Sequence, residues 1–345
     1  MEKSLFFVGN YNLSTDSEGI YGVTLDEMTG ELEIVSTCDE CENPSYLAIR
    51  NHILCVANEL GDTAYLTAYT IHSDGSMTLL DKIVVPGAGA CYIALWKDGT
   101  HISGANYTTG NVFTCSLDSN GKFKQVMANY QNEGKGKDEI RQDAPHMHSI
   151  TSDINGEYWL AADLGTDDIF YYKSNRDNGQ FKLIEKLKID AGEGPRHFVF
   201  DDTNTYGYLV TELASNIYVY KLQNDKLLLI QKCNASLKDG IEESNYASHI
   251  TLSKNKKYVY VSNRGANTID IFKIQSDGTL RPYTHVDSHG HYPRHFEVSP
   301  SGNYMIIAHQ KSHEVVCCKV DDDGIVGEYV SKVSIPKAIN ICFVK

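Results

Sequence analysis

The sequence predicts an all-β fold, a seven-bladed β-propeller with four antiparallel strands per blade, and three observations predict it. A pair of turn signals recurs seven times along the 345 residues. The tetrapeptide Pro-Arg-His-Phe occurs at Pro195 and again at Pro293, 98 residues on, too far for a hairpin and suited to two repeats of one unit. The two ends of the chain read as complementary parts of a single unit.

The unit is clearest in KYVYVSNRGANTIDIFKIQSDGTL from Lys257. It reads as strand, polar turn, strand, Asp-Gly turn, strand, with apolar residues alternating at period two. The polar turn recurs as GNYN at Gly9, ANEL at Ala57, ANYT at Ala105, ADLG at Ala162, TELA at Thr211, SNRG at Ser262 and AHQK at Ala308. The second turn is marked by Gly30, Gly75, Gly121, Gly179, Asp225, Gly278 and Gly324, at gaps of 45, 46, 58, 46, 53 and 46. Gly after Asp or Asn supplies the positive φ of a tight hairpin. Roughly 46 residues per unit is the length of a four-stranded blade. The two long gaps hold polar insertions, QNEGKGKDEIRQ at 131–142 and NASLKDGIEESNY at 234–246. Long loops of this kind are more often functional than accidental. At the ends, SLFFVGNY matches the second strand of a unit and PKAINICFV at Pro336 its missing first strand. Together they complete one blade, close the ring and remove an exposed sheet edge. Residues 1–345 are therefore expected to form one propeller domain.

Composition narrows the function. With 41% hydrophobic and 22% charged residues the chain reads as a soluble globular protein. It has no apolar run of transmembrane length, and MEKSLFFVGNY lacks the features of a signal peptide, so a cytoplasmic location with reduced thiols is expected. Nine cysteines make a poor disulfide framework. Cys38 and Cys41 have CxxC spacing without a second pair and read as surface-loop cysteines, while Cys317 and Cys318 read as core residues. The net charge of −14 disfavours nucleic acid and anionic membrane as partners, leaving a small anionic substrate if arginines converge locally. A monomer or weak homo-oligomer is expected. The chain contains no G-x-S-x-G, P-loop, H-E-x-x-H or G-x-G-x-x-G motif. Catalysis would then activate water instead of a serine nucleophile.

With strands lettered a to d from the centre outward, the starts of a strands and the ends of b strands share one face. Both insertions emerge there, and polar residues around a channel mouth form the expected site. Arg196, His197, Arg294 and His295 start two a strands, and Glu212, Arg264 and Gln310 lie at b-to-c turns. His146 and His148 start another a strand, where one strand face would hold both. No third ligand accompanies them, so no metal or cofactor is expected. The arginines either contact substrate or brace the blades by pairing with Glu212 or Asp163. The b-turn positions Asn10, Asn58, Asn106, Asp163, Glu212, Asn263 and His309 could encircle calcium, although turn formation accounts for Asn and Asp equally well.

At these residues the sequence resembles the 6-phosphogluconolactonase family of seven-bladed propeller lactonases. The matching strings are HS at His148, GPRH at Gly194, TEL at Thr211, YVSNRG at Tyr260, PR at Pro293 and QKSH at Gln310. The resemblance implies metal-independent hydrolysis of a lactone ester, with 6-phosphoglucono-δ-lactone of the oxidative pentose phosphate pathway as substrate. It also implies His148, Arg196, Glu212 and Arg264 as catalytic residues. His146, His197, Arg294 and Gln310 complete the expected substrate-binding set. In this scheme water attacks the carbonyl with Glu212 or His148 as base, Arg196 or Arg264 stabilises the oxyanion, and Arg294 takes the phosphate. The chain departs from the family where the fifth full repeat's a strand often carries an acidic residue, reading Ser248 and His249 instead. Relatives include muconate-type cyclases. A non-catalytic propeller binding a protein or sugar phosphate, and a calcium-dependent lactonase, are the competing expectations.

Overall fold

The computed structural model describes residues 3–241 and 244–344, so Glu242 and Glu243 of the second insertion lie outside the described residues. Twenty-eight strands form seven four-stranded antiparallel sheets, with a single 3-10 turn at Asn12–Ser14, among the described residues. The innermost strands are Pro44–Arg50, Ala90–Leu95, Met147–Ser152, Pro195–Phe200, Tyr246–Leu252, Pro293–Val298 and Ala338–Phe343. Each packs against the next, and Ala338–Phe343 packs back on Pro44–Arg50, which closes the ring. That last strand belongs to the N-terminal blade, pairing with Lys3–Asn10 so that Phe7 lies opposite Cys342. No helix among the described residues is long and apolar enough to cross a membrane.

Burial follows position within the blade. The second strand Tyr258–Arg264 is buried throughout, while the outer strand Lys226–Asn234 is exposed at most positions. A middle strand has a neighbouring blade on both faces and reads as a continuous apolar run; an outer strand keeps one face in water and alternates. The core is accordingly divided among the blade interfaces. One cluster joins Tyr208, Val210, Val261 and Phe272, and another joins Tyr260, Ile271, Phe296 and Ile307. The c-to-d turns lie on the face away from the insertions. Asn224 and Asp225, at φ 52° and 57°, make that turn without glycine, as a two-residue turn with both central residues left-handed requires.

One irregularity repeats around the ring. In the inner strands the register shifts at the second residue, between Pro44 and Tyr46, Ala90 and Tyr92, Met147 and Ser149, Pro195 and His197, and Pro293 and His295. In Tyr246–Leu252 the shift spans Ala247 to Ile250. A bulge puts an extra residue on one strand and re-aims its side chain. Consecutive residues thereby reach the channel: Ser45 with Tyr46, Arg196 with His197, and Arg294 with His295 all line it.

Candidate active site

The strand ends gather the expected residues at one mouth of the channel. Arg196 is the second residue of Pro195–Phe200, Arg264 the last of Tyr258–Arg264, and His148 the second of Met147–Ser152. Glu212 follows Tyr206–Thr211, held by its own N–H donating to the Gly194 carbonyl at 2.7 Å. These four side chains meet around one carboxylate. Glu212 Oε2 accepts from Arg196 Nε at 2.9 Å and pairs with Arg264 Nη2 at 2.7 Å, with His148 Nε2 3.8 Å away. Glu212 Oε1 accepts from Arg141 Nη2 at 2.6 Å. Burial alone would raise the Glu212 pKa, but the Arg264, Arg196 and Arg141 charges together hold it well below the usual carboxylate range.

The arginines at this mouth differ in what they have left to offer. Arg196 also donates Nη1 to the Ser248 carbonyl at 2.9 Å, and Arg264 donates Nε and Nη2 to the Tyr246 and Ala247 carbonyls at 3.2 and 3.1 Å. Burial, with Arg264 and Arg294 nearby, pushes Arg196 down to about 9, still charged at neutral pH. Both are therefore braces between blades as well as charges, and their acidic partner is Glu212. Asp163, the other partner expected from sequence, instead accepts from Asn132 Nδ2 at 2.6 Å and from the backbone of His146 and Gly165 at 2.8 and 2.9 Å. Arg294 is half-buried, donating to the Tyr11 hydroxyl at 2.8 Å and to Gln310 Oε1 at 3.4 Å. The Tyr11 hydroxyl in turn donates to Glu59 at 2.8 Å. Burial raises the Glu59 pKa, opposed chiefly by the Arg294 charge. Four guanidiniums thus face two carboxylates at this mouth, a local positive field in a chain of net charge −14.

Below the charged layer lies an aromatic plug. Tyr46 stacks on Tyr92 with ring centroids 4.0 Å apart, and His249 lies 4.0 Å from His295. His197 Nδ1 and His249 Nδ1 are 2.9 Å apart, and Arg196 Nη1 donates to His197 Nε2 at 3.1 Å. Arg196 Nη1 also lies 3.4 Å from His197 Nδ1, so the guanidinium sits against both ring nitrogens, and one of the two imidazoles donates to the other across the Nδ1–Nδ1 contact. Burial first, then neighbouring arginines and histidines, lowers the pKa of His148, His197 and His249 well below the ordinary value and that of His295 to about 3. A larger cavity of about 610 Å³ opens at the far end of the channel, beyond Tyr46, His249 and His295. It lacks the converging charges of the upper mouth, which is the better site.

The neutral histidines carry a stability prediction. In the unfolded chain each titrates near 6.5, whereas in the folded protein protonation is postponed to lower pH. Above about pH 7 both states are neutral and stability is flat; below about 6.5 the unfolded state binds more protons and stability falls. Each histidine adds a slope of up to about 1.4 kcal/mol per pH unit, running down to about pH 3 for His295. Urea midpoints should hold from pH 8 to 7 and drop steadily from 6.5 to 5, with a shallower drop in His249→Phe. A wild-type midpoint that is constant to pH 5 would contradict the buried neutral cluster.

Other expectations fare differently. His146 and His148 do not share a face: His146 stacks on Tyr107 at 4.4 Å and sets Nε2 3.1 Å from Asp143, while His148 meets the edge of the same tyrosine and turns to Glu212. The reason is the bulge, which breaks period-two alternation between them. The b-turn asparagines direct their amides to backbone carbonyls, Asn10 to Glu18 and Pro336, Asn58 to Glu42, Asn106 to Pro86 and Asn263 to Ala235. They tie each turn to an adjoining connection. Among the described residues, no group of three or more His, Cys, Asp or Glu is arranged to hold a metal. Cys41 is buried, not a surface-loop residue; its sulfur accepts from Asn58 Nδ2 at 3.2 Å and burial pushes its pKa to about 11. Cys317 and Cys318 lie in the core as expected.

Comparison with known proteins agrees with this architecture. Residues 5–343 match the model of the family described as Lactonase, 7-bladed beta-propeller. The chain belongs to the seven-bladed β-propeller lactonase family. Among its relatives, a protein from Formosa agariphila named 6-phosphogluconolactonase is 30% identical over 326 residues, covering 91% of this chain and 92% of the relative. The solved structure of a periplasmic gluconolactonase from Pseudomonas aeruginosa superposes with a TM-score of 0.91 at 26% identity, covering 100% of this chain and 99% of the other. A protein from Lactobacillus plantarum superposes at 0.92 with 26% identity and 100% coverage of both chains.

For this lactonase-family chain, sequence reasoning missed Arg141, Tyr107, Tyr11 and Glu59 at the mouth. Tyr11, Glu59 and Tyr107 stood in the GNYN, ANEL and ANYT turns, each one residue beyond the repeated asparagine, and Arg141 was the single arginine of the first insertion. Those were the available signals.

Proposed function

We propose that the chain hydrolyses the internal ester of an anionic sugar lactone, with 6-phosphoglucono-δ-lactone as the substrate that suits it best. The observation that carries this reading is a neutral, buried histidine set among guanidiniums. His148 is 5% exposed, and its Nδ1 has no hydrogen-bond partner among the described residues. An unpartnered buried nitrogen is costly unless it has a use.

Of the two bases considered from sequence, His148 is the better. Both have lowered proton affinity, but Glu212 has both oxygens engaged by arginines, whereas His148 keeps a nitrogen without a partner among the described residues. Water attacks the ring carbonyl carbon while its proton passes to His148 Nδ1. The carbonyl electrons move to oxygen, where Arg196 Nη2, without a protein acceptor among the described residues, donates to the oxyanion. Collapse breaks the ring carbon–oxygen bond, and the departing ring oxygen takes the proton from His148. The product carboxyl then ionises. Glu212 orients the two arginines and keeps their charge in place. Arg294 and Gln310, joined to each other, present donors to the sugar hydroxyls.

The test is turnover of freshly prepared phosphorylated and unphosphorylated gluconolactone, with and without EDTA. Hydrolysis above the spontaneous rate, faster for the phosphorylated lactone and insensitive to EDTA, is expected. Loss of turnover in EDTA would favour a calcium-dependent enzyme. No turnover of either lactone would overturn the proposal in favour of a binding propeller.

A further inference from the structure

We propose that Arg141, on the insertion between the outer strand Phe123–Gln131 and the inner strand Met147–Ser152, is the residue that reads the anionic group of the substrate and sets specificity for it. The inference rests on the lactonase reading above and assigns the phosphate to a residue outside the arginines expected from sequence.

Exposure separates the candidates first. The Arg141 side chain is 35% exposed, against 2% for Arg196 and 3% for Arg264. Arg141 meets the protein through Nη2 alone, at Glu212 Oε1 and, at 3.4 Å, the Tyr107 hydroxyl; its Nε and Nη1 meet no protein acceptor among the described residues. One edge of a planar fork is thus left for a phosphate, which Arg binds through two parallel hydrogen bonds. Arg294, favoured from sequence, is enclosed by Tyr11 and Gln310 with the Glu59 charge nearby, and it lines the narrow channel itself. It lies where the reacting end of a sugar would go. The phosphate of a 6-phosphosugar is at the other end, toward the rim.

The insertion is also built to hold Arg141 still. Its neighbour Gln142 is 1% exposed, and Gln142 Oε1 accepts from the N–H groups of Lys137 and Asp138 at 2.9 and 3.1 Å. Gln142 Nε2 donates to the Leu164 carbonyl and to Asp167 Oδ1, each at 2.8 Å. Asp138 Oδ1 accepts from the Arg141 N–H at 3.0 Å, and Asn132 anchors the other end on Asp163 at 2.6 Å and Thr166 at 3.0 Å. A solvent-facing loop needs none of these buried anchors for folding its blade. They make sense as the support of a side chain that must be aimed. With Arg141 Nη2 kept on Glu212, an anion on the Nε and Nη1 edge leaves the Glu212 pairs with Arg196 and Arg264 in register.

The experiment compares wild type, Arg141→Gln and Arg141→Lys in steady-state kinetics on phosphorylated and unphosphorylated gluconolactone, and in calorimetric titration with 6-phosphogluconate. For Arg141→Gln the ratio of kcat/KM between the phosphorylated and unphosphorylated lactones should fall about 10–100-fold, through KM, with a matching loss of 6-phosphogluconate affinity. Arg141→Lys should recover part of the affinity, since it keeps the charge without the fork. A variant that lowers kcat on both lactones and leaves their ratio unchanged makes Arg141 a brace for Glu212 and overturns the proposal. An unchanged ratio with unchanged kcat overturns it too. If wild type turns over neither lactone, the lactonase reading fails separately, and the 6-phosphogluconate titrations still decide whether Arg141 binds the anion.

Discussion

Replacing Glu212 by Gln is expected to remove about 3–5 kcal/mol of folding stability together with nearly all activity. The carboxylate is 4% exposed and is the counter-ion of Arg196 and Arg264, themselves 2% and 3% exposed. An amide of the same shape still accepts one hydrogen bond, but it leaves two buried guanidiniums without a negative charge. The burial cost of Arg196, which with the nearby Arg264 charge already lowers its pKa, and the repulsion between the two guanidiniums would then act unopposed. Denaturant midpoints and lactone turnover of the purified variant check this. Wild-type stability in Glu212→Gln would show that the arginines are compensated elsewhere, and Glu212 would then lose its role as the centre of the site. Because Glu212 stays ionised well below the usual carboxylate range, its contribution is present above about pH 4.5 and disappears only as pH falls through that depressed value.

His148→Gln should separate from Glu212→Gln in kind. Removing a general base lowers kcat by about 10²–10⁴-fold, while stability changes by less than about 1 kcal/mol because Nδ1 has no partner to lose. The wild-type pH profile carries the second half of the prediction. A base with an ordinary histidine pKa would make kcat/KM fall below about 6.5. Burial, and then the Arg196 charge, lowers the His148 value, so kcat/KM should stay level from pH 8 to well below 6 and fall only beyond that. The level region must be read where the protein is still folded, which far-ultraviolet circular dichroism at each pH establishes. A His148→Gln enzyme retaining wild-type kcat, or a wild-type limb centred at 6.5, would remove His148 from the proton-transfer step.

Much of this was legible in the sequence, and the reason is that the legible part is local. Strand alternation and the turn residues between strands act over a few positions, so seven copies of one pattern show as seven blades. Ring closure was legible because PKAINICFV and SLFFVGNY each lack what the other has, and Ala338–Phe343 does pair with Lys3–Asn10. Strand polarity then placed Arg196, Glu212, Arg264 and His148 at one mouth, since alternation of direction within a blade leaves no other arrangement. What each residue does there was decided by partners from other blades. Glu212 meets Arg141 across 71 positions, and Arg294 meets Tyr11 across 283. Three arginines around one carboxylate cannot be told in a linear pattern from three that face solvent. The bulge that parts His146 from His148, the burial of Cys41 and the neutral state of the histidine plug belong to the same class. Backbone pattern follows from neighbours in the chain; charge state and side-chain role follow from burial and distance in space, which only the closed ring sets.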